Sequence, residues 1–303
     1  MHTFFQELAK KLAERWLGLL VLPAALLLVV AVFGVQLGHP HALDWSRARH
    51  LAATAAGLFS QQPAGTQALL AVALLLATSG IGLSTQALAA LTRTLWLGQW
   101  PRAVAVLQRW RIRRRRTRWH RRLARRRELE QAHPRDSRTP DQQQRINDAA
   151  EKVNRLALAE PGRPTWMGDR IHATERVALD RYGLDLPFTW PRLWLLLPDT
   201  TRGEITAAHA GFASAVATGT WAWPYLALAA FWWPAALVAV AVGIVGWTRA
   251  RSAVDDLNAL TESALDLHTR ALGIELGVAD LETIGPLDIS EGRELTAIVR
   301  KGR

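Results

Sequence analysis

Arg109–Arg127 reads RWRIRRRRTRWHRRLARRR, 12 arginines in 19 residues, with long uncharged runs on both sides. Short, densely positive segments beside apolar runs stay on the cytoplasmic face of a bilayer. The stretch therefore predicts a membrane protein and sets the expected orientation of everything that flanks it.

Working outward, the chain of 303 residues is 50% hydrophobic, and that content is concentrated near residues 16–37, 66–92 and 205–248. About 20 apolar residues cross about 30 Å of hydrocarbon, so each of the first two runs suits one crossing and the third suits two. The expected fold is all-α: an integral membrane protein with four transmembrane helices, two N-terminal and two C-terminal, and a cytoplasmic helical middle region. Both termini are expected in the cytoplasm. Net charge is +11, most of it from the arginine run, and there is no cysteine. Disulfides, thiolate zinc sites and thiol nucleophiles are thereby excluded.

Residues 1–15 have amphipathic helical spacing and precede the first span, 16–37. That run is longer than a signal h-region and meets Gly38-His39-Pro40-His41 rather than a small-x-small cleavage site, which predicts a retained helix. Residues 38–65 read as an outer loop. His39, His41, Asp44 and His50 in it lack the spacing of a ligand set, so no metal is assigned.

In the second span, 66–92, Ala73, Ala77, Gly80 and Ser84 form a small-residue stripe. Gly211, Ala215 and Gly219 do so in the third (205–227), and Ala235, Ala239 and Gly243 in the fourth (231–248). Small residues let helices approach closely in lipid, which predicts a compact bundle or a homo-oligomer. A turn near Ala229–Trp233 divides the last two spans. His209 lies inside one of them.

Residues 93–130 read as a juxtamembrane helix with Val104, Leu107, Trp110, Trp119 and Leu123 along a sparse apolar seam. Its arginines (Arg109, Arg111, Arg113, Arg114, Arg115, Arg116, Arg118, Arg121, Arg122, Arg125, Arg126 and Arg127) are candidates for binding anionic inner-leaflet lipid. Nucleic acid would attract the same charges, but no nucleic-acid-binding module surrounds them. Lipid or an acidic protein partner is the favoured reading.

A linker, 131–140, leads to a cytoplasmic helical pair over 141–182, with Asp141 and Thr165 as N-caps and Gly183 as a left-handed closure. Residues 183–200 hold three prolines and read as an interfacial element anchored by Trp190, Arg192 and Trp194. Thr201 and Glu204 form a capping-box pattern for the next helix. Beyond 249 a helix is expected to about Leu276, with Val254, Leu257, Leu260, Ala264, Leu267 and Ala271 facing a partner, followed by a loose tail.

Pro164-Thr165, Gly168-Asp169, Glu175, Arg181-Tyr182-Gly183-Leu184-Asp185 and Trp190-Pro191-Arg192-Leu193-Trp194 together resemble an actinobacterial-type family of integral membrane proteins that is itself uncharacterised. In that family an asparagine stands at the position of Asp169. The resemblance spans residues 160–275 and implies a membrane protein with a cytoplasmic middle region; it implies no activity and no cofactor. Asp169, His172, Glu175, Asp180 and Asp185 are the carboxylates and histidine available for acid–base work, and only His172 and Glu175 are helix neighbours. No catalytic residue is assigned. The leading expectation is a non-enzymatic scaffold, sensor or assembly subunit. A channel or small transporter, or an inner-leaflet enzyme, are the alternatives.

Overall fold

The computed structural model describes residues 21–301, so the expected N-terminal amphipathic segment and the start of the first span lie outside the described residues. The described chain is all-α. It divides into two compact units, Met1–Thr92 with Ala213–Arg249 and Arg93–Phe212 with Ala250–Arg303. Its helices are α1 (Leu22–Leu37), α2 (Trp45–Ser60), α3 (Ala64–Trp96), α4 (Ala105–Ala132), α5 (Pro140–Asn154), α6 (Trp166–Tyr182), α7 (Leu186–Leu196), α8 (Asp199–Thr220), α9 (Ala222–Leu228), α10 (Pro234–Glu275) and α11 (Ile289–Arg300). Two of them, α3 and α10, are long and apolar enough to cross a membrane.

In the first unit, α1 packs on α9 and the turn after it. Ala24, Leu27, Trp221, Tyr225, Leu228, Ala235 and Ala239 form the core. Gly34 lies against the Trp232 side chain, where an added Cβ would meet the indole at 3.0 Å. Trp232 in turn donates to the Ala42 carbonyl at 3.1 Å, and His39 is turned to the Ala230 carbonyl at 3.0 Å. The stretch read as a loop contains α2, whose N-terminus is capped by the Asp44 carboxylate on the Arg47 amide. Asp44 and His39 are therefore occupied in holding the backbone.

The small-residue faces divide. Ala215, Ala235 and Ala239 are buried, and Gly246 sits directly on the Gly219 backbone. In the second unit Gly211 faces Ala253. On α3, however, Ala73, Ala77, Gly80 and Ser84 are exposed, and the buried positions are Thr78, Gly82, Thr85 and Thr92. Thr92 receives hydrogen bonds from the Thr220 hydroxyl (3.0 Å) and the Trp223 indole (3.1 Å). A hydroxyl that also bonds its own helix can pack as closely as alanine while satisfying a polar neighbour in an apolar setting, which favours this face.

The second unit is built on α4, α5, α6, α7, α11 and the distal part of α10. α5 begins at Pro140, not after Asp141: Thr139 accepts from the Gln142 amide while the Gln142 side chain accepts from the Thr139 amide, a capping box. It packs along α4, so the pair expected within 141–182 is replaced by a hairpin with the arginine helix. The buried side of α5 is Ile146, Ala149 and Val153. On α4 only Trp119 and Leu123 of the anticipated seam face inward. Val104, Leu107 and Trp110 are exposed.

The proline-rich segment is helical. Pro187 stands in the first turn of α7, where a missing amide donor is harmless, and Pro191 removes one interior hydrogen bond. Leu193 and Leu197 are buried in the unit's core with Leu184, Ile205, Leu265, Leu272, Leu287, Leu295 and Val299. Trp190 and Trp194 pack against that core with ring centroids 6.2 Å apart, and Arg192 donates to the Phe188 carbonyl at 2.7 Å. α8 starts at Asp199, which places Thr201 and Glu204 inside the helix rather than at a capping box.

The stretch read as a loose tail contains α11, opened by an Asp288–Glu291 capping box. Of the expected stripe on α10, Val254 and Ala264 are buried and Leu257 and Leu260 half-buried, whereas Leu267 and Ala271 are exposed and Leu265 and Leu272 take the buried side. Burial of Leu287, Leu295 and Val299 contributes roughly 1.5–3 kcal/mol each.

Candidate functional site

The arginine helix has two faces of different chemistry. On the inner face, Arg115 donates Nε (2.8 Å) to Asp169 Oδ2, with Nη2 2.7 Å from the same oxygen, and Nη2 also reaches the Leu156 carbonyl at 3.0 Å. Arg116 donates to the Pro161 carbonyl at 2.8 Å and Arg122 to the Lys152 carbonyl at 2.7 Å. The Trp119 indole donates to the Ala157 carbonyl at 3.2 Å. These acceptors are the last turn of α5 and the loop after it. A helix C-terminus leaves carbonyls without intrahelical donors, and guanidinium groups satisfy them while complementing the helix dipole. Three arginines of the run thus hold the hairpin together. Arg126 is paired with Glu130 at 2.8 Å on its own helix.

The outer face carries Arg109, Arg111, Arg113, Arg114, Arg118, Arg121 and Arg127, with Arg125 at its edge toward α5, all exposed. Arg111 lies over Trp100 and Arg114 over Trp110, Arg109 bonds its own helix, and Arg125 meets Glu128 at 3.2 Å. Among the described residues the guanidinium groups of Arg113, Arg118, Arg121 and Arg127 make no hydrogen bond or ion pair.

Asp169 is the centre of the inner face. Its Oδ1 accepts from the Gly162 amide (2.8 Å) and the Arg163 amide (2.6 Å), so both oxygens are held by donors. Burial pushes the carboxyl up from the ordinary carboxylate range, while the Arg163 amide, the Arg115 charge and the Gly162 amide pull the other way. A site of donors alone has no place for a carboxyl proton, so the arrangement suits the ionised form.

The neighbouring motif residues serve the same clasp. Thr165 caps α6 by accepting from the Gly168 amide at 3.2 Å. Gly168 permits the Leu97 carbonyl to approach its Cα, and Gly98, at φ +68°, lies against Pro164 and Thr165. A side chain at either glycine would push the two segments apart. At the other end of α6, Gly183 closes the helix in the left-handed region at φ +70°. Tyr182 donates to Asp266, and Arg300 binds Asp185. Trp166 is flanked by the guanidinium groups of Arg170 (5.2 Å) and Arg251 (4.2 Å). Arg170 also pairs with Asp255 at 2.8 Å.

Burial and the Asp266 carboxylate push the Tyr182 phenol up to about 12. A raised pKa means that the Tyr182–Asp266 contact contributes fully below the free phenol's value of about 10 and is lost as pH rises through about 12. In a Tyr225→Phe variant Tyr182 is the remaining tyrosine. Its tyrosinate absorbance is expected to reach half-height near pH 12, and a midpoint near 10 would mean that the hydrogen bond is not made.

His172 Nδ1 lies 3.2 Å from Glu175 beside a small cavity of about 90 Å³ lined also by Leu97, Gln99, Arg163, Gly168 and Ile171. That is room for about three waters. Asp169 and Asp185 are engaged as described, and His209 is exposed on α8. Among the described residues no cluster of three or more His, Asp or Glu side chains is placed to hold a metal ion. The lipid candidates are thus divided between two faces. Trp190, Arg192 and Trp194 are half-buried, the two indoles packed against the core of the second unit. Comparison of the chain with known protein families, curated proteins and solved structures finds no match.

Proposed function

We propose that this chain is a multi-pass membrane protein whose outer arginine face rests on an anionic lipid surface, and that its second unit is a non-enzymatic scaffold. Apolar helices in the core of a water-soluble protein are mostly covered by their neighbours. In the most apolar stretches of α3 and α10 only 17% and 28% of residues are buried, which supports lipid as their surroundings. In this reading α1 and the α8–α9 segment supply the other two crossings, and the second unit lies in the cytoplasm.

The observation that carries the scaffold reading is the division of labour along α4. Arg115, Arg116 and Arg122 are held by Asp169, α5 and the loop after it, while the guanidinium groups of Arg113, Arg118, Arg121 and Arg127 stay exposed and unpartnered. Each cation near an anionic surface contributes on the order of 1 kcal/mol, with less from each once neighbouring charges are neutralised. Of the candidate acid–base groups, Asp169, His172, Glu175 and Asp185 are engaged in clasps and ion pairs, and Asp180 is exposed.

A variant carrying Arg113→Gln, Arg118→Gln, Arg121→Gln and Arg127→Gln removes the unpartnered cations without touching the clasp. Its affinity for phosphatidylglycerol in mixed neutral micelles, read by energy transfer from tryptophan to a dansyl lipid, is expected to fall by roughly tenfold or more. Its thermal unfolding should be unchanged. Equal affinity in the two proteins, or equal affinity of the parent for phosphatidylcholine, would contradict the reading.

A further inference from the structure

We infer that the groove between α4 and α5 is a binding site for a ligand carrying clustered phosphate groups. The groove has a volume of about 300 Å³ and is lined by Arg122, Arg125, Leu129, Arg145, Asp148, Ala149 and Lys152. Arg122 and Arg125 come from one wall at i, i+3, and Arg145 and Lys152 from the other at i, i+7. Leu129 and Ala149 supply apolar surface.

The charge balance of this groove differs from that of its surroundings. Next to it, Arg126 is neutralised by Glu130 at 2.8 Å and Arg155 by Glu151 on its own helix at i, i+4. Inside it, four cations face one carboxylate, and Asp148 is already bonded by the Gln144 amide at 2.8 Å. Arg125 has a second partner in Glu128, and Arg122 uses one nitrogen on the Lys152 carbonyl. The Arg145 guanidinium and the Lys152 ammonium make no hydrogen bond or ion pair among the described residues. Two helices that converge with like charges repel unless an anion lies between them. Guanidinium groups pair with phosphate in bidentate geometry and lysine adds a movable point charge, so a compact anion with several phosphate oxygens matches both walls at once. A volume of about 300 Å³ is at the small end for ligand sites, which suits an oligophosphate or a phosphorylated headgroup rather than a whole nucleotide. The inference does not rest on the membrane reading, because the groove lies wholly within the second unit.

The test uses the full-length protein in a neutral detergent, titrated calorimetrically with sodium tripolyphosphate at fixed ionic strength. Saturable binding is expected, weakened roughly tenfold or more by R145Q together with K152Q and retained in the R113Q, R118Q, R121Q and R127Q protein. Arg145 and Lys152 are exposed, so their replacement leaves the hairpin core intact. A second arm adds phosphatidic acid in mixed micelles. Displacement of tripolyphosphate assigns the groove to a lipid phosphate, and persistence of binding assigns it to a soluble one. Absence of saturable binding by both probes would overturn the inference. So would equal weakening in the two variants, which would reduce the effect to general attraction by the arginine helix.

Discussion

Replacing Asp169 with asparagine is expected to destabilise the second unit by about 3 kcal/mol, lowering its Tm by on the order of 6–12 °C. The asparagine oxygen can still serve the Gly162 and Arg163 amides, but its NH2 group then points a donor at Arg115. The Asp169 side chain is 3% exposed and that of Arg115 is 15% exposed, so the guanidinium would be left without a counter-charge where water reaches it poorly. Breaking a buried pair from one side typically costs more than the pair ever contributed. Arg115→Met in the asparagine background should therefore recover part of the loss. Thermal unfolding of the detergent-solubilised proteins, followed by helical circular dichroism, gives the double-mutant cycle, with a coupling of about 1–3 kcal/mol expected. Additive losses would mean that the two side chains do not act on each other.

Gly292→Ala is expected to release α11. An added Cβ would run into the Tyr182 carbonyl, which approaches the helix at this position, and that atom is backbone that cannot swing aside. α11 has 12 residues, too few to persist in water without its docking face. Its release exposes Leu287, Leu295 and Val299, which are now buried, so the loss is on the order of several kcal/mol. Trypsin should then cut at Arg293 and Arg300 at least tenfold faster, in proportion to the opened population. Gly203→Ala, where a Cβ meets nothing within 4 Å, should leave the digestion pattern unchanged. Unaltered protection of α11 in the Gly292 variant would show that this helix is not held against Tyr182.

Much of the local structure was legible because its signals are local. Thr165 and Gly183 bound α6 through side-chain and backbone geometry that needs only adjacent residues. The turn at 229–233 follows from the length of the apolar region. α11 was legible in principle: Asp288 and Glu291 stand at capping-box spacing before Leu295 and Val299. The Gly285-Pro286 break and the distance from any other motif made the segment read as a tail.

Other features depend on partners far along the chain. Arg115 and Arg113 are the same residue type two positions apart, and only the arrival of Asp169 and the Leu156 carbonyl separates a structural arginine from a free one. The distal end of the α10 stripe was misplaced for the same reason, since the core shared with α7 and α11 takes Leu265 and Leu272 rather than Leu267 and Ala271. On α3, the Ala73–Ser84 stripe and the Thr78–Thr92 stripe offer similar small surfaces. The hydroxyl partnership with Thr220 and Trp223 decides between them. Trp190 and Trp194 read as interface anchors because tryptophan and proline together are uncommon in cytoplasmic helices; their half-buried packing on the core depends on α7 meeting the rest of the unit.

The proposed topology puts the arginine helix and the loop bearing α2 on opposite sides of a membrane. Because the chain has no cysteine, single substitutions report position without background. Gly57→Cys on α2 and Thr117→Cys on α4 are both exposed, and nothing lies within 4 Å of the Gly57 position. With a membrane-impermeant maleimide applied to intact cells, Gly57→Cys should label at once and Thr117→Cys only after lysis. Labelling of Thr117→Cys from outside, or equal labelling of both before lysis, would contradict the account.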